Sequence, residues 1–390
     1  MKNILKYASL LAAAAVMLLS CGEKENAGGK LVLTSDRNLI GINEEAVITV
    51  TLGDKVITEG VVFYDSDMKV LDLPDFRFSA DKAGKYEIWA NYLSYESETL
   101  TITVTDLEMP ETPADPQPES TDFKVRALMT EFTTTGCSWC PSMKALLHDV
   151  FADESVADMV VLSTCHSSLV GGVPDPGYIK TEYETFSRST GMPYVFCDMF
   201  YGFPYSQALT SNDIKGLIQE LCDEKKDESV GIAVSSKLEN NQVVAKVTVK
   251  AAKSGAYRVG AFLLEDGIYG KQSSATADWM HTHNDVIRHI DATYYVNGVE
   301  TFYGHLLGEI ASGKTADHMF AWMLDDIWKT GKRNGESYGG CAWNDPVLDN
   351  LHMAVFVCAI DVNDKGEEFY RVVNAIDCPV NGQTPYEYAK

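Results

Sequence analysis

Residues 124–151, "KVRALMTEFTTTGCSWCPSMKALLHDVF", constrain the fold more than any other part of the chain. An apolar, strand-like run leads into Cys137 and Cys140, and a helix-like run follows directly after Pro141. Proline is favoured in the first turn of a helix, because the N–H that it lacks would have no partner there. The pattern therefore predicts a strand, a loop and a helix, with Cys137 at or just before the helix N-terminus.

The cysteine pair allows three interpretations: half of a metal site, a structural disulfide or a redox pair. A metal site would require a second CxxC or a histidine pair at finger-like spacing, and neither lies nearby in the sequence. Unpaired N–H groups and the helix dipole favour a thiolate at a helix N-terminus. We therefore predict that Cys137 is a nucleophile and that Cys140 resolves the mixed disulfide. A purely structural disulfide within a scaffold domain is the alternative.

Changes of pattern along the chain predict a multidomain protein that combines α/β and all-β parts. Alternating runs rich in Val, Ile, Thr and aromatic residues predict strands, and after the cysteines such runs alternate with helical ones, which indicates a βαβ unit with a parallel strand pair. A stretch with four prolines, five acids and no basic residue predicts an extended spacer. The predicted parts are a signal peptide (1–20), a tether (21–30), an immunoglobulin-like β-sandwich (31–106), a Pro/acidic linker (107–122), an α/β domain (123–228) and a C-terminal β-sandwich (229–390).

The first twenty residues have the pattern of an export signal. Lys2 and Lys6 precede an apolar run that ends at "LLSC", and the run is too short for a convincing membrane span. A small residue before a cysteine resembles the cleavage site of bacterial lipoproteins, so we expect Cys21 to become the acylated N-terminus. An ordinary secretory signal is the alternative. Exported proteins can keep their disulfides.

The net charge limits the kinds of partner that the protein can bind. The formal net charge of −24 repels nucleic acid and anionic lipid, so we expect no nucleic-acid partner and membrane contact only through the lipid anchor.

Six further cysteines allow 15 pairings, which the sequence does not resolve. Of these, Cys358 lies in the apolar run "HMAVFVCAI" and is predicted to be a buried thiol. The six are Cys165, Cys197, Cys222, Cys341, Cys358 and Cys378.

A second motif lies about fifty residues downstream of the cysteines. The run "TGMPYVF" resembles the cis-proline loop that faces the CxxC of thioredoxin-like proteins, and Glu131 stands six residues before Cys137, where thioredoxins have a buried acid. The resemblance implies a thioredoxin-like fold for residues 123–228, a proton-transfer role for Glu131 and a substrate groove formed by Pro193 and Met192. We add Trp139 to that groove as an exposed contact. Gly136 departs from the thioredoxin pattern, which has tryptophan before the first cysteine.

The whole arrangement, including "HTHNDVIRHI" in the C-terminal part, resembles the outer-membrane-protein-twenty-eight-related lipoproteins of Gram-negative bacteria. The resemblance covers residues 120–385. It implies attachment to the outer membrane, facing either the periplasm or the cell surface.

Two functions from different classes follow from these observations. The first is thiol–disulfide exchange on protein thiols or disulfides, without a cofactor. The second is a non-enzymatic surface protein that binds an unknown ligand or adhesion partner. We predict no metal site, and the set that would form one is His281, His283 and Asp285, since two imidazoles and a carboxylate can ligate one ion.

Overall fold

The computed structural model describes residues 30–53, 55–166, 181–296, 299–324, 327, 332–333, 336–337 and 347–389. The chain divides into two compact units between Asp106 and Leu107, which is where the predicted linker begins. The predicted signal peptide, Cys21, most of the tether and Cys341 lie outside the described residues. No helix in the described part of the chain has the length and apolar character that a membrane span needs.

The first unit consists of short strands arranged in two sheets. One sheet has the order β1-β3-β4, with β7 beside β3, and the other has the order β2-β10-β8-β5-β6, with β9 beside β8. The strands are β1 (Leu31–Ser35), β2 (Leu39–Gly41), β3 (Ala46–Leu52), β4 (Lys55–Ile57), β5 (Val61–Asp65), β6 (Val70–Leu71), β7 (Arg77–Phe78), β8 (Gly84–Tyr92), β9 (Tyr95–Glu96) and β10 (Leu100–Thr105).

Alternating apolar residues fold this unit around one core. In β3, Ala46, Ile48 and Val50 are buried while the residues between them are more exposed, since successive side chains point to opposite faces of a sheet. Ile88 of β8 and Ile102 of β10 join them from the other sheet. The predicted sandwich of two sheets is therefore confirmed, and its immunoglobulin-like character stays a prediction.

Among the described residues, the second unit contains four α-helices and the remaining strands. The helices are α1 (Cys140–Phe151), α2 (Glu154–Ala157), α3 (Thr181–Phe186) and α4 (Ser211–Lys225). The longer strands are β11 (Ala127–Thr133), β12 (Val160–His166), β13 (Tyr194–Cys197), β14 (Tyr201–Pro204), β15 (Val230–Glu239), β16 (Gln242–Ala251) and β17 (Gly255–Glu265). They continue with β18 (Ile268–Tyr269), β19 (Thr282–His283), β20 (Val286–Asp291), β21 (Tyr294–Val296), β22 (Val299–Thr301), β23 (His305–Ile310), β24 (Thr315–Met323), β25 (Lys332–Arg333), β26 (Glu336–Ser337), β27 (Leu351–Val362), β28 (Glu368–Pro379) and β29 (Gln383–Thr384).

The predicted strand–helix–strand order around the cysteines is confirmed. Strand β11 pairs in parallel with β12 through α1, as expected for a βαβ unit, and antiparallel with β13. Ala127 and Met129 of β11 pack against α1 and α4, whereas Leu128 and Phe132 pack on the opposite face with Tyr183 of α3. The period of two along β11 therefore places helices on both faces of this part of the sheet.

The predicted separation at residues 228/229 is not a division between compact units. A nine-stranded sheet of order β14-β13-β11-β12-β20-β17-β27-β28, with β23 beside β17, runs through both parts. The join is the parallel pairing of Thr164 in β12 with Val286 in β20. A second sheet, β24-β16-β15-β29, shares a core with β17, β27 and β28. Local sequence patterns do not reveal such a join, because they carry no information on which distant strands pair.

The predicted linker is docked rather than free. Lys246 of β16 lies 2.7 Å from Glu111. Lys250, which is 2% exposed, contacts Asp115 at 2.8 Å and donates to the carbonyl of Pro118 at 2.6 Å. Two of the five acids that suggested a self-repelling spacer, Glu111 and Asp115, are thus paired with lysines of β16.

We predict that Lys250→Met destabilises the second unit by about 2 kcal/mol, because it removes the buried cation that contacts Asp115 and donates to the carbonyl of Pro118. Burial alone would raise the pKa of Asp115, but hydrogen bonds from Lys250 and Tyr388 outweigh it and lower that pKa. Urea denaturation is the measurement. Lys253→Met is the control, since Lys253 pairs with Glu228 on the surface and such pairs contribute about 0–1 kcal/mol. Equal losses in both variants would contradict the docked linker.

Candidate functional site

The site is built where β11 ends and α1 begins. Residues 134–139, here called the cysteine loop, connect the two elements, and Cys137 is joined to Cys140 by a disulfide with a Cα–Cα distance of 5.5 Å. Cys140 is the first residue of α1 and is 1% exposed, whereas Cys137 is partly exposed. Of the two cysteines, Cys137 is therefore accessible to solvent and Cys140 is not.

Two backbone groups face the Cys137 sulfur. The N–H of Cys140 points at Sγ across 3.1 Å, and the carbonyl oxygen of Met192 lies 3.8 Å from the same sulfur. The peptide bond between Met192 and Pro193 is cis. The structure thus brings together the two motifs that the sequence analysis singled out, although about fifty residues separate them in the chain.

A groove of about 360 Å³ lies beside the disulfide. Trp139 is 54% exposed, and its ring centroid lies 6.2 Å from that of Tyr205. Three of the lining residues, Trp139, Met192 and Pro193, were predicted from the sequence, whereas Tyr205 and the segment around it were not. The lining residues are Trp139, Thr190, Gly191, Met192, Pro193, Pro204, Tyr205, Ser206 and Gln207.

Glu131 is a buried acid on the helix side of β11. It follows Ala127 and Met129 at the same period of two, so its side chain lies on the face that α1 covers. Its Oε1 atom has no hydrogen-bond partner among the described residues. Burial raises the pKa of Glu131 to about 7, Lys144 opposes this rise, and Asp285 adds to it. The acid therefore changes protonation state near neutral pH.

Lys144 is a site residue that the sequence analysis missed. It lies four residues after Cys140 on α1, and its ammonium group donates to the carbonyls of Met280 at 3.0 Å and Thr282 at 2.6 Å. Burial lowers the pKa of Lys144, and Glu131 opposes that change. The signal was its position, since residues four apart share one helix face, and that face carries Cys140.

The three residues proposed as metal ligands do not converge. His281 accepts a hydrogen bond from the backbone of Gln272 through Nδ1, and Nε2 of His283 pairs with the carbonyl of Gly270 at 3.1 Å. Among the described residues, Asp285 instead converges with Asp266 and His352.

Ion pairs between His352 and the carboxylates around it explain why Asp266, Asp285 and His352 lie close together. Burial alone would lower the pKa of His352, but hydrogen bonds with Asp266 and Asp377 outweigh it and raise the pKa to about 10. The protonated imidazole lies 2.5 Å from Asp377, 3.4 Å from Asp266 and 3.9 Å from Asp285. It supplies the positive charge that a cation would otherwise provide to these carboxylates.

A larger cavity of about 1020 Å³ lies elsewhere in the second unit. Seven of its 17 lining residues are aromatic. Asp198 and Lys225 in the lining form a buried ion pair 2.6 Å apart. Lys225 also donates to the carbonyl of Arg126, so these charges serve the packing of α4. Neither cysteine of the disulfide lines this cavity.

No protein-family model matches the sequence, and no curated protein matches it. Among solved structures, HBP35 of Porphyromonas gingivalis is similar at 14% sequence identity with a TM-score of 0.44. The alignment covers 69% of this chain and 78% of that chain. A likeness at this level assigns neither a fold nor a function to the protein.

We predict that Glu131→Gln removes one contribution to the pH dependence of the free energy of unfolding. A carboxyl whose pKa is 4.5 in its ordinary state and about 7 when folded makes the folded state less stable as the pH rises across that interval. Glutamine removes the effect, so the variant should gain on the order of 3 kcal/mol relative to wild type between pH 4.5 and pH 8.

Urea denaturation at several pH values measures this difference. Glu154→Gln is the control, because Glu154 lies exposed in the first turn of α2 and should leave the pH profile unchanged. Parallel profiles for wild type and Glu131→Gln would show that Glu131 ionises as a solvated carboxyl does.

Proposed function

We propose that the protein catalyses thiol–disulfide exchange on protein thiols or disulfides through Cys137 and Cys140, on a thioredoxin-like fold spanning residues 123–228. The observation that carries the proposal is the unequal access of a disulfide at a helix N-terminus. Cys140 is 1% exposed, Cys137 is partly exposed, and an N–H group points at the Cys137 sulfur. A reactive cysteine requires an accessible sulfur whose thiolate is stabilised by such groups.

The reaction needs only two sulfurs of the protein and two of the substrate. In the reduced protein, the Cys137 thiolate attacks one sulfur of a substrate disulfide, and the other substrate sulfur leaves as a thiolate. Cys140 then attacks Cys137 in the mixed disulfide and releases the second substrate thiol. The protein ends as the Cys137–Cys140 disulfide, and the substrate has gained two electrons and two protons. The reverse sequence oxidises a substrate dithiol.

In this proposal, Glu131 and Lys144 form the pair that handles the proton of the resolving cysteine. The two groups interact electrostatically, and Lys144 lies one helical turn after Cys140. Cys140 must lose its proton to attack Cys137, and a carboxyl with a pKa of about 7 can accept a proton at neutral pH. In this proposal Glu131 accepts that proton, and the positive charge of Lys144 stabilises the carboxylate in its buried position.

The groove supports an extended protein segment as substrate. The Met192 carbonyl lies beside the Cys137 sulfur, so a substrate backbone placed there can donate a hydrogen bond to it in the manner of an added strand. Trp139 and Tyr205 provide aromatic surface next to the reactive sulfur. The net charge of −24 repels the phosphate backbone of nucleic acids, so we propose no nucleic-acid partner.

We predict that Cys137→Ser abolishes insulin reduction by the protein in the presence of dithiothreitol. Cys140→Ser should accumulate mixed disulfides with the substrate, because no thiol remains to resolve them. Cys378→Ser is the control, since it removes a buried free thiol of β28 and should keep wild-type activity. Equal and negligible activity in wild type and Cys137→Ser would contradict the proposal and favour a non-enzymatic surface-binding protein.

We also propose that the protein is a member of the outer-membrane-protein-twenty-eight-related lipoproteins, anchored through acylated Cys21 and facing the periplasm or the cell surface. The sequence pattern at residues 1–21 supports the anchor. Several acyl chains on one residue would hold the protein durably, whereas one chain alone holds it only marginally.

The anchor predicts that the mature protein from cells begins at Cys21 and carries acyl chains, and that Cys21→Ala moves it from the membrane fraction to the soluble fraction. Intact-mass analysis and fractionation measure both. An unmodified residue 21, or cleavage at another position, would contradict the anchor.

A further inference from the structure

A segment of the C-terminal part packs against the disulfide site. Residues 266–283, here called the clamp segment, contain the paired strands β18 and β19. The backbone N–H of Ser273 donates to the carbonyl of Thr135 in the cysteine loop at 2.7 Å. Farther along, the carbonyls of Met280 and Thr282 accept hydrogen bonds from Lys144 on α1. The clamp segment therefore touches the cysteine loop and the helix that follows it.

Gln272 makes the most direct of these contacts. The residue is 3% exposed, and its Nε2 lies 3.0 Å from the carbonyl oxygen of Cys137 and 3.2 Å from that of Thr135. The carbonyl of Thr134 is 3.3 Å away. A primary amide has two N–H bonds, so the closest acceptors, those of Cys137 and Thr135, take the best hydrogen bonds.

The backbone of Gln272 is itself fixed. Its N–H donates to Nδ1 of His281 at 3.1 Å, and the next residue is held by the carbonyl of Thr135. Gly270 lies close to the cysteine loop as well, since a Cβ there would come within 3.3 Å of the Thr135 methyl group. These contacts fix the backbone of Gln272, so its side-chain amide is held next to the cysteine loop.

The polarity of the loop decides what this contact does. The carbonyl of Cys137 faces Gln272, whereas the N–H of Cys140 faces the Cys137 sulfur. A thiolate is stabilised by N–H groups and destabilised by carbonyl oxygens that turn toward it. Any contact that keeps the loop carbonyls on the far side from the sulfur therefore favours the ionised form.

We propose that Gln272 is a positioning residue for the exchange reaction, holding the carbonyl of Cys137 away from the Cys137 sulfur so that the N–H of Cys140 faces it. This inference rests on the proposed function for its role in catalysis. Without the amide, the carbonyl of Thr135 keeps the N–H of Ser273 as a donor, but the carbonyl of Cys137 loses its contact with Gln272. The loop then relaxes so that this carbonyl finds another donor. The thiolate then loses stabilisation, and the disulfide becomes harder to reduce.

The test uses Gln272→Met, which keeps the length of the side chain and removes the donor. Reduced wild-type and variant proteins are alkylated with iodoacetamide from pH 5 to pH 9, and modification of Cys137 is followed by mass spectrometry. We expect the apparent pKa of Cys137 to rise by about one unit, so that alkylation at pH 6 slows roughly tenfold. Equilibration with glutathione should shift roughly tenfold toward the disulfide.

Gln242→Met is the matched control, because Gln242 is 2% exposed and lies at the start of β16. It should leave the thiol pKa and the glutathione equilibrium unchanged. Gln272→Asn is a milder second variant, because its side chain is one methylene shorter and moves the amide away from the loop carbonyls. It tests the proposal if Gln272→Met does not fold. The same rise in pKa, smaller in size, supports the proposal.

A lower melting temperature with an unchanged thiol pKa and unchanged glutathione equilibrium would overturn the proposal and leave Gln272 a packing residue. Both readouts use only the protein and small reagents. Failure of wild-type protein to reduce insulin would therefore count against the proposed function alone, whereas an unshifted pKa in the Gln272 variants would count against the positioning role alone.

Discussion

The proposed chemistry of this protein depends on one backbone arrangement, in which the first N–H group of α1 points at the Cys137 sulfur. The parallel pairing of β11 with β12 fixes where the first strand ends, and the crossover helix must begin just beyond that point. The two cysteines occupy this strand-to-helix corner. Helix N-termini attract negative charge, so the corner favours a thiolate at the one sulfur that a partner can reach.

The surroundings of the corner come from two distant parts of the chain. The loop at Met192 and Pro193 lies in front of the sulfur, and the clamp segment lies behind it. Both reach the site because β11, β13 and β20 belong to one nine-stranded sheet. The C-terminal strands are therefore part of the support of the site rather than an attached module. Glu131 is enclosed by this support, and burial keeps its pKa near 7.

The sequence predicted the features that depend on short spacing. Pro141 after the CxxC predicts the start of α1, and the strand-like run before the cysteines predicts β11. The resemblance to thioredoxins implied the burial of Glu131, which is 6% exposed. The burial of Cys358 was also predicted and is confirmed.

Features that depend on long-range pairing were missed. The join between β12 and β20, the docking of residues 107–122 and the contact of Gln272 with the cysteine loop involve residues more than one hundred positions apart. No periodicity or spacing encodes them, because each results from how the sheets assemble. His281 and His283 illustrate the limit: two imidazoles at this spacing can ligate one ion, but each contacts a different part of the clamp segment.

The most direct test of the account is the pair of alkylation rates at Cys137 and Cys140 in the reduced protein at neutral pH. Mass spectrometry of timed samples gives both rates from one experiment. The account predicts that Cys137 reacts at least tenfold faster, since its thiolate is stabilised by an N–H group and accessible while Cys140 is buried. Equal rates, or faster modification of Cys140, would contradict it.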